Sequence, residues 1–415
     1  MDIIVIGGGA SGMAAAITAA RTGAKVTLFE KEARVGRKLL ATGNGRCNYT
    51  NTIYEGRIYN EGSEVFVSQV LERVSHDETL EFFKDLGIYP RFESGGRVYP
   101  ASEQAASVVD ALRFEIDRLK NIEVINSHWI KGIVRRQATG GFFVVSHRNM
   151  RLSADKVIIA CGGRAGSQYG CEGDGHALAE AQGHTVVEPK PALVQLTCPE
   201  KYFQSLKGVR AKGEVALIVK EKNGDEKEAG REKGEIQFTE TGISGICVFD
   251  LSGRANRAME DGKTCAVVMD LFPELSEEEF KAMMKDRLEK SAHKSCENFL
   301  NGLINKKLIP VVLKNCGIKK IEAKSTEITE DLLENICSML KKWRVEIKGS
   351  KSWNDAQTTS GGVSLDEINP ETMESRLKNG LFFAGEVVDV DGRCGGYNLQ
   401  WAWSSGILAG RSACK

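Results

Sequence analysis

The chain has 415 residues, in which 56 Lys and Arg are balanced by 56 Asp and Glu, and 41% of its residues are hydrophobic. The length predicts two or three domains with sizeable cores, and the even charge removes any global electrostatic case for nucleic acid or an anionic membrane as partner. Eleven scattered cysteines, with no C-x-x-C pair and no His/Cys cluster at ligand spacing, exclude a dithiol centre and a zinc or iron–sulfur site, so reduced thiols and no metal are expected.

Asp2–Ile6 reads as a short apolar strand, Gly7-Gly8-Gly9-Ala10-Ser11-Gly12 as a turn, residues 13–21 as an Ala-rich helix, and residues 25–29 as a second strand ending at Glu30. Strand, G-x-G-x-x-G, helix, strand and acid in that order are the dinucleotide fingerprint. Gly7 permits the tight turn, Gly9 lets a phosphate approach the backbone, and Gly12 lets the helix pack on the strand. The helix N-terminus then offers unpaired N–H groups to a pyrophosphate, while Glu30, 18 positions after Gly12, accepts from a ribose 2′-OH. A core strand at the N-terminus leaves no room for a signal peptide, and no apolar run reaches the about 18 residues of a membrane span. A soluble, cytoplasmic protein is expected.

Residues 31–51 are too rich in Gly, Arg and Asn for core and predict a loop over a ligand. Lys31 lies at its start, Arg37 and Lys38 could neutralise a pyrophosphate, and Asn44, Arg46 and Asn48 offer donors to a polar ring edge. Residues 63–86 and 103–119 show helical spacing, residues 122–126 a strand, 130–135 and 141–146 hairpin strands, and 156–161 an apolar strand ending in Gly162-Gly163. Residues 193–196, 213–219, 235–239, 246–250 and 265–270 alternate like strands, and the charged run 220–233 predicts a protruding hairpin tip. Helical patterns then continue to about residue 343. Gly-rich motifs return at Thr358-Thr359-Ser360-Gly361-Gly362-Val363, at the strand running into Gly385-Glu386, and at Gly395-Gly396-Tyr397-Asn398 before an apolar helix over 401–411.

The fold class is therefore α/β: a Rossmann-like dinucleotide-binding domain with a parallel sheet, interrupted by an inserted β-rich layer and a small helical module. The divisions expected are 1–190 for the first part of the dinucleotide-binding domain, 191–273 for the β-rich substrate or cap domain, 274–343 for the helical insert, 344–355 for the return to the β-rich domain, and 356–415 for the C-terminal part of the dinucleotide-binding domain. The insert is expected to cover the bound cofactor and line the substrate pocket.

These motifs together resemble the two-domain flavoproteins of the glutathione-reductase type. More narrowly, Gly36-Arg37-Lys38 with Thr42-Gly43-Asn44-Gly45-Arg46-Cys47-Asn48, Thr359-Ser360-Gly361-Gly362-Val363, and Gly385-Glu386 with Asp389, Asp391 and Gly395-Gly396-Tyr397-Asn398 resemble the BaiN-like FAD flavoprotein family, which includes the aminoacetone oxidases. The resemblance runs nearly end to end and implies an FAD-dependent oxidoreductase with non-covalent FAD. It places Ser11 and Gly12 at the pyrophosphate, Glu30 at the adenosine ribose, and Arg37, Lys38, Asn44 and Gly45 at the phosphates or ribityl chain. Ile130 would offer its backbone to the adenine beside Gly162 and Gly163, and Gly385, Glu386, Asn398 and Leu399 would follow the ribityl chain and pyrimidine edge. Cys394 stands where a threonine commonly follows the arginine in that family, and is given no role.

The leading functional expectation is NAD(P)H-dependent reduction of a small unsaturated or carbonyl compound, steroid- or bile-acid-like, by hydride transfer through flavin N5. The electron donor would bind without a Rossmann domain of its own, since no second G-x-G-x-x-G exists. A flavin amine oxidase of the aminoacetone type using O2 is the alternative, and a flavoprotein acting on nucleic acid the third. The partner expected is a small molecule, with neither nucleic acid nor membrane, and the oligomeric state is not readable. Arg46 as electrophilic clamp and Tyr397 as proton donor are the catalytic candidates; the six histidines are isolated in sequence.

Overall fold

In the computed structural model, which describes residues 1–136 and 140–415, the chain divides into two compact units, Met1–Lys190 with Gln357–Lys415, and Pro191–Ala356. The first is built on a five-stranded parallel sheet in the order Leu381–Phe383, Lys156–Ile159, Asp2–Ile6, Lys25–Phe29, Ile122–Ile125. Ile3 pairs with Lys156 on one side and Val26 on the other, and Val157 with Leu381. Such strands are covered on both faces, which is why the central ones read as apolar runs: Ile3, Ile4, Val5, Val157, Ile158 and Ile159 are all buried.

The opening helix, Ala10–Arg21, is buried from Ser11 to Ala20, and its small side chains follow from what lies on it. The last helix, Tyr397–Ala413, begins four residues before the position expected from sequence and packs on it along Gly406 and Gly410. A Cβ on Gly406 would lie 2.4 Å from the Ser11 carbonyl oxygen, and one on Gly410 2.5 Å from that of Ala15. Two helices meet here backbone to backbone, at a separation that only glycine allows. The same unit carries a three-stranded antiparallel sheet, Ile130–Arg135, Phe142–Ser146 and Arg151–Ala154, and a smaller one from Thr50–Asn51, Arg97–Pro100 and Pro90–Phe92.

The second unit holds a seven-stranded antiparallel sheet whose long members are Arg210–Lys220, Glu226–Thr239, Thr264–Asp270 and Trp343–Ile347. Helices Glu277–Lys290, Cys296–Leu300, Leu308–Asn315 and Glu330–Lys341 follow. The first of them opens with a capping box of Ser276 and Glu279. Two expectations need correction. Residues 246–250, read as a strand within the β-rich layer 191–273, begin the helix Ile246–Glu260. Four consecutive apolar residues before Asp250 fit strand or helix; the helical period wins because Cys247, Val248, Leu251, Ser252 and Ala255 form one buried stripe against strand Glu226–Thr239. Gly230 and Gly234 of that strand make room, since their missing Cβ atoms would come within 2.9 Å of Leu251 and 3.3 Å of Cys247. The charged run 220–233 does hold the turn of a hairpin, at residues 221–225, but from Glu226 onward it is paired strand rather than tip. Glu226–Thr239 pairs with Arg210–Lys220 through almost its whole length, because alternate charged side chains face solvent, with Arg231 bridging Glu214 and Glu228. No helix of the described residues is long and apolar enough to cross a membrane.

Gly406→Ala tests the helix contact. Helix propensity alone favours alanine by about 1 kcal/mol, yet the clash with the Ser11 carbonyl should leave the variant about 1–3 kcal/mol less stable in urea unfolding; a gain in stability would show that the helices are free to separate.

Candidate functional site

Gly7, with φ +106°, turns the chain out of the first strand, and a Cβ there would sit 2.4 Å from the Ala160 carbonyl oxygen. Gly12 is still tighter, with a hypothetical Cβ only 1.8 Å from the Gly7 oxygen. Gly9 differs in kind: it is the N-cap of helix Ala10–Arg21, no side chain caps that helix, and a Cβ on it would meet nothing within 4 Å. Space therefore opens in front of a helix N-terminus whose first N–H groups have no intrahelical partner.

Glu30 closes one side of this cradle. Its carboxylate accepts from the backbone N–H of Gly8 at 2.8 Å and of Glu32 at 2.7 Å, fixing the Gly-rich turn to the end of the second strand. Burial pushes its carboxyl above the ordinary value, while those backbone donors pull the other way. His128 and Ser127 donate to the backbone carbonyls of Glu30 and Glu32, both at 2.9 Å, which brings Ile130, the first residue of its strand, next in chain to this corner.

The cations predicted to meet phosphate are held by carboxylates. Lys31 pairs with Glu172 and with Asp174 (2.9 Å), Arg37 with Glu32, and Lys38 with Glu386 (2.7 Å). Burial works against the Lys38 ammonium, but Glu386 outweighs it and holds the pKa above its ordinary value. Asn44 (φ +56°) and Gly45 (φ +84°) lie in an exposed left-handed stretch, and a Cβ on Gly45 would meet nothing within 4 Å.

Glu386 is the hinge pin of the opposite side. One carboxylate oxygen takes the Lys38 ammonium and the other the backbone N–H of Thr359 at 2.6 Å. Thr359 Oγ1 in turn accepts from the N–H groups of Arg164 and Ala165 at 2.8 and 3.0 Å, an approach possible only because Gly163 has no side chain. Gly162 (φ +72°) precedes it at the end of the Lys156–Ile159 strand. Thr359 carries this stitching, and its partners are too distant in sequence to be read there. Gly385 donates to Ser405 Oγ at 2.9 Å and accepts from the Trp401 indole at 3.0 Å, while Ser11 Oγ donates to the Ala384 carbonyl at 3.3 Å.

A second uncapped helix N-terminus stands at Gly396 (φ +100°), where a Cβ would lie 2.4 Å from the Thr50 oxygen. Asn398 in its first turn binds Gly392 in both directions at 2.8 Å, and Leu399 beside it packs on the core. Tyr397 donates its hydroxyl proton to the Ile53 carbonyl at 2.8 Å and meets Tyr54 edge-on at 5.7 Å. Arg46 lies over the Tyr99 ring at 4.0 Å and pairs with Glu93 and with Glu103 (2.9 Å). Cys47 is buried, and burial pushes its thiol up to about 12, so it is protonated and packed.

The uncapped N-terminus of helix Ala10–Arg21, the open space at Gly9 and the acid at Glu30 fit an extended flavin dinucleotide: Gly9, Ser11 and the first turn would hold its pyrophosphate and Glu30 its ribose. A 3-dehydro-bile acid delta(4,6)-reductase of Clostridium scindens is 38% identical over 413 residues, covering 99% of this chain and 98% of the relative. Ribosomal RNA dihydrouridine synthases of Escherichia coli and Haemophilus influenzae are each 29% identical, over 404 and 406 residues, covering 97% of this chain and 96% of each relative. Among solved structures, the open conformation of a flavocytochrome c3 fumarate reductase aligns with a TM-score of 0.49 at 16% identity, covering 100% of this chain and 78% of that chain. Fold and site define a Rossmann-type FAD-dependent oxidoreductase. Residues 1–412 match the family described as HI0933-like protein Rossmann domain, and the chain belongs to it.

Gly9→Val should fold normally, since nothing in the protein occupies the added volume and the backbone there, φ −78° and ψ −167°, is extended. It should nonetheless lose FAD by about tenfold or more in affinity, read as copurified flavin. Full flavin occupancy in a folded Gly9→Val protein would show that this opening does not face the cofactor.

Proposed function

We propose that the protein reduces a carbon–carbon double bond conjugated with a carbonyl in a small steroid-like acid. The observation that carries this is the 38% identity, over 99% of the chain, to a protein named for reducing a 3-dehydro-bile acid at delta(4,6). When bound and reduced by NAD(P)H, which would leave as NAD(P)+, the flavin would supply a hydride to the alkene carbon far from the carbonyl, with the proton that adds beside the carbonyl taken from solvent. The chain's share is to bind, orient and stabilise charge. Gly9, Ser11 and the first turn of Ala10–Arg21 face the pyrophosphate, Glu30 the adenosine ribose, and the Gly162-Gly163 turn and Ile130 the adenine end. Lys31, Arg37, Lys38, Asn44 and Gly45 form the basic rim, and Gly385, Glu386, Asn398 and Leu399 the wall along the ribityl chain. The first turn of the last helix directs N–H groups and a positive dipole end at the edge that becomes electron-rich on reduction.

Tyr397 fits a positioning role better than that of proton donor, because its hydroxyl proton is bonded to Ile53, and Arg46 fits one better than that of electrophilic clamp, because its guanidinium is paired with Glu93 and Glu103. The dihydrouridine synthase relatives support a second reading, in which the conjugated alkene is that of a uracil ring in RNA. Reduction of such alkenes unites both readings and sets them apart from oxidation of a small amine with O2.

Without air, NADH or NADPH should bleach the flavin absorbance, and a 3-oxo-4,6-diene steroid acid should restore it with loss of the diene chromophore. Restoration by O2 alone, with aminoacetone as the only reductant accepted, would sink the reductase reading. Tyr397→Phe should retain turnover within a factor of about 10, well short of the roughly 100-fold that a general acid contributes at the least; a loss of about 1000-fold with flavin content intact would make Tyr397 the proton donor instead.

A further inference from the structure

Residues 127–154 contain five Lys or Arg (Lys131, Arg135, Arg136, Arg148, Arg151), two His and no Asp or Glu, in a chain of net charge 0. Cations near the candidate site are quenched by carboxylates, as with Lys31, Arg37, Lys38 and Arg46. Among the described residues, none of these five makes an ion pair with a carboxylate. Lys131 donates to Asn149 Oδ1 (2.6 Å), Arg135 to the Asn379 carbonyl (2.6 Å), Arg136 to the Gly140 carbonyl (2.8 Å), and Arg148 reaches His147 Nε2 (3.3 Å).

Strand alternation sorts this segment into two faces. Ile133, Phe142, Val144 and Ala154 point into the core. Val134 pairs with Phe143 and Phe143 with Ser153 on the other face, where Val134 is 51% exposed. The Phe143 ring lies there under two guanidinium groups, Arg151 at 3.7 Å and Arg136 at 5.8 Å from its centroid. Beside the sheet, Trp129 is 42% exposed and stacks on His147 at 5.3 Å with 13° between the rings, with His128 edge-on to His147 at 5.6 Å. Uncompensated positive charge on a flat sheet, interleaved with aromatic and guanidinium planes, is suited to a polyanion that also presents planar rings. Trp129, Val134 and Met150 are the exposed large apolar side chains among the described residues of this segment, and they stand between five cations, whereas a membrane surface would ask for a continuous apolar face; the aromatic rings here lie against cations or imidazole.

We propose that this face of the Ile130–Arg135, Phe142–Ser146, Arg151–Ala154 sheet is a docking surface for single-stranded RNA. The phosphates meet Lys131, Arg136, Arg148 and Arg151, and bases stack on Trp129 and on the Phe143–arginine layer. The surface stands on its own charge and geometry and holds whichever alkene the enzyme reduces.

Fluorescence anisotropy of the FAD-loaded, full-length protein with a labelled, unstructured RNA of about 16 nucleotides tests it. Affinity should fall steeply between about 50 and 200 mM salt, and in the Arg136→Ser/Arg151→Ser double variant it should drop about tenfold with a salt slope shallower by about 1.4. Phe143→Ala should weaken binding about tenfold without changing the slope, with flavin content verifying its fold. Wild-type protein that fails to bind, or a double variant with unaltered affinity and slope, would overturn the proposal. So would retention on phosphatidylserine vesicles that the RNA does not compete away, since that result assigns the face to a membrane. Binding is read without turnover, so its failure leaves the proposed reaction untouched, and failure of the reaction leaves the binding result standing.

Discussion

The backbone contact between the first and last helices is the constraint on which the dinucleotide unit depends. Gly406 and Gly410 bring Tyr397–Ala413 to within touching distance of the carbonyls of Ser11 and Ala15. That approach in turn delivers Ser405 to the N–H of Gly385 and the Trp401 indole to its carbonyl. Leu381–Phe383, the edge strand of the parallel sheet, is thereby held where its carboxyl end stands beside those of Lys156–Ile159 and Asp2–Ile6. Ligands of open parallel sheets collect at that end, so a steric rule at two glycines reaches the chemistry without touching it.

Around the cradle, charge is balanced internally. Lysines and an arginine whose sequence positions suggest phosphate contact are engaged by Glu172, Asp174, Glu32 and Glu386, while no side chain caps the positive end of helix Ala10–Arg21. An anion arriving here meets fixed backbone dipoles first, and these need no rearrangement to receive it. The ion pairs set the shape of the walls: Glu386 ties the basic loop to strand Thr358–Val363, and Asp389 ties the same strand at Gly361.

What could be read in the sequence was whatever local stereochemistry dictates. The Gly7, Gly9 and Gly12 triplet, the apolar strands and the Ala-rich helix each require a particular residue within a few positions, and the Rossmann assignment follows from them. The helix Ile246–Glu260 is hidden because it opens on a short apolar run that fits a buried strand as well, and the glycines of strand Glu226–Thr239 that face it reveal the period. Stitches such as Thr359 to Arg164, or Asn60 to Asp391, join positions 195 and 331 residues apart, and no pattern in either partner announces the other. Arg46 and Tyr397 stood out as chemically able groups, but a Glu and a backbone carbonyl brought by folding determine what they bond.

The strand order also bears on how the chain is made. The parallel sheet is assembled from segments on either side of Pro191–Ala356, so its edge strand and covering helix leave the ribosome only after that whole unit has done so. Pro191–Ala356, by contrast, is contiguous and can complete its own core while the first 190 residues wait with Asp2–Ile6 and Lys156–Ile159 unsealed. For that interval, synthesis leaves an apolar sheet open along one side, the form in which nascent chains are prone to pair with one another. The enzyme's dependence on its final helix is thus a demand on the folding machinery of the cell as much as on the finished protein.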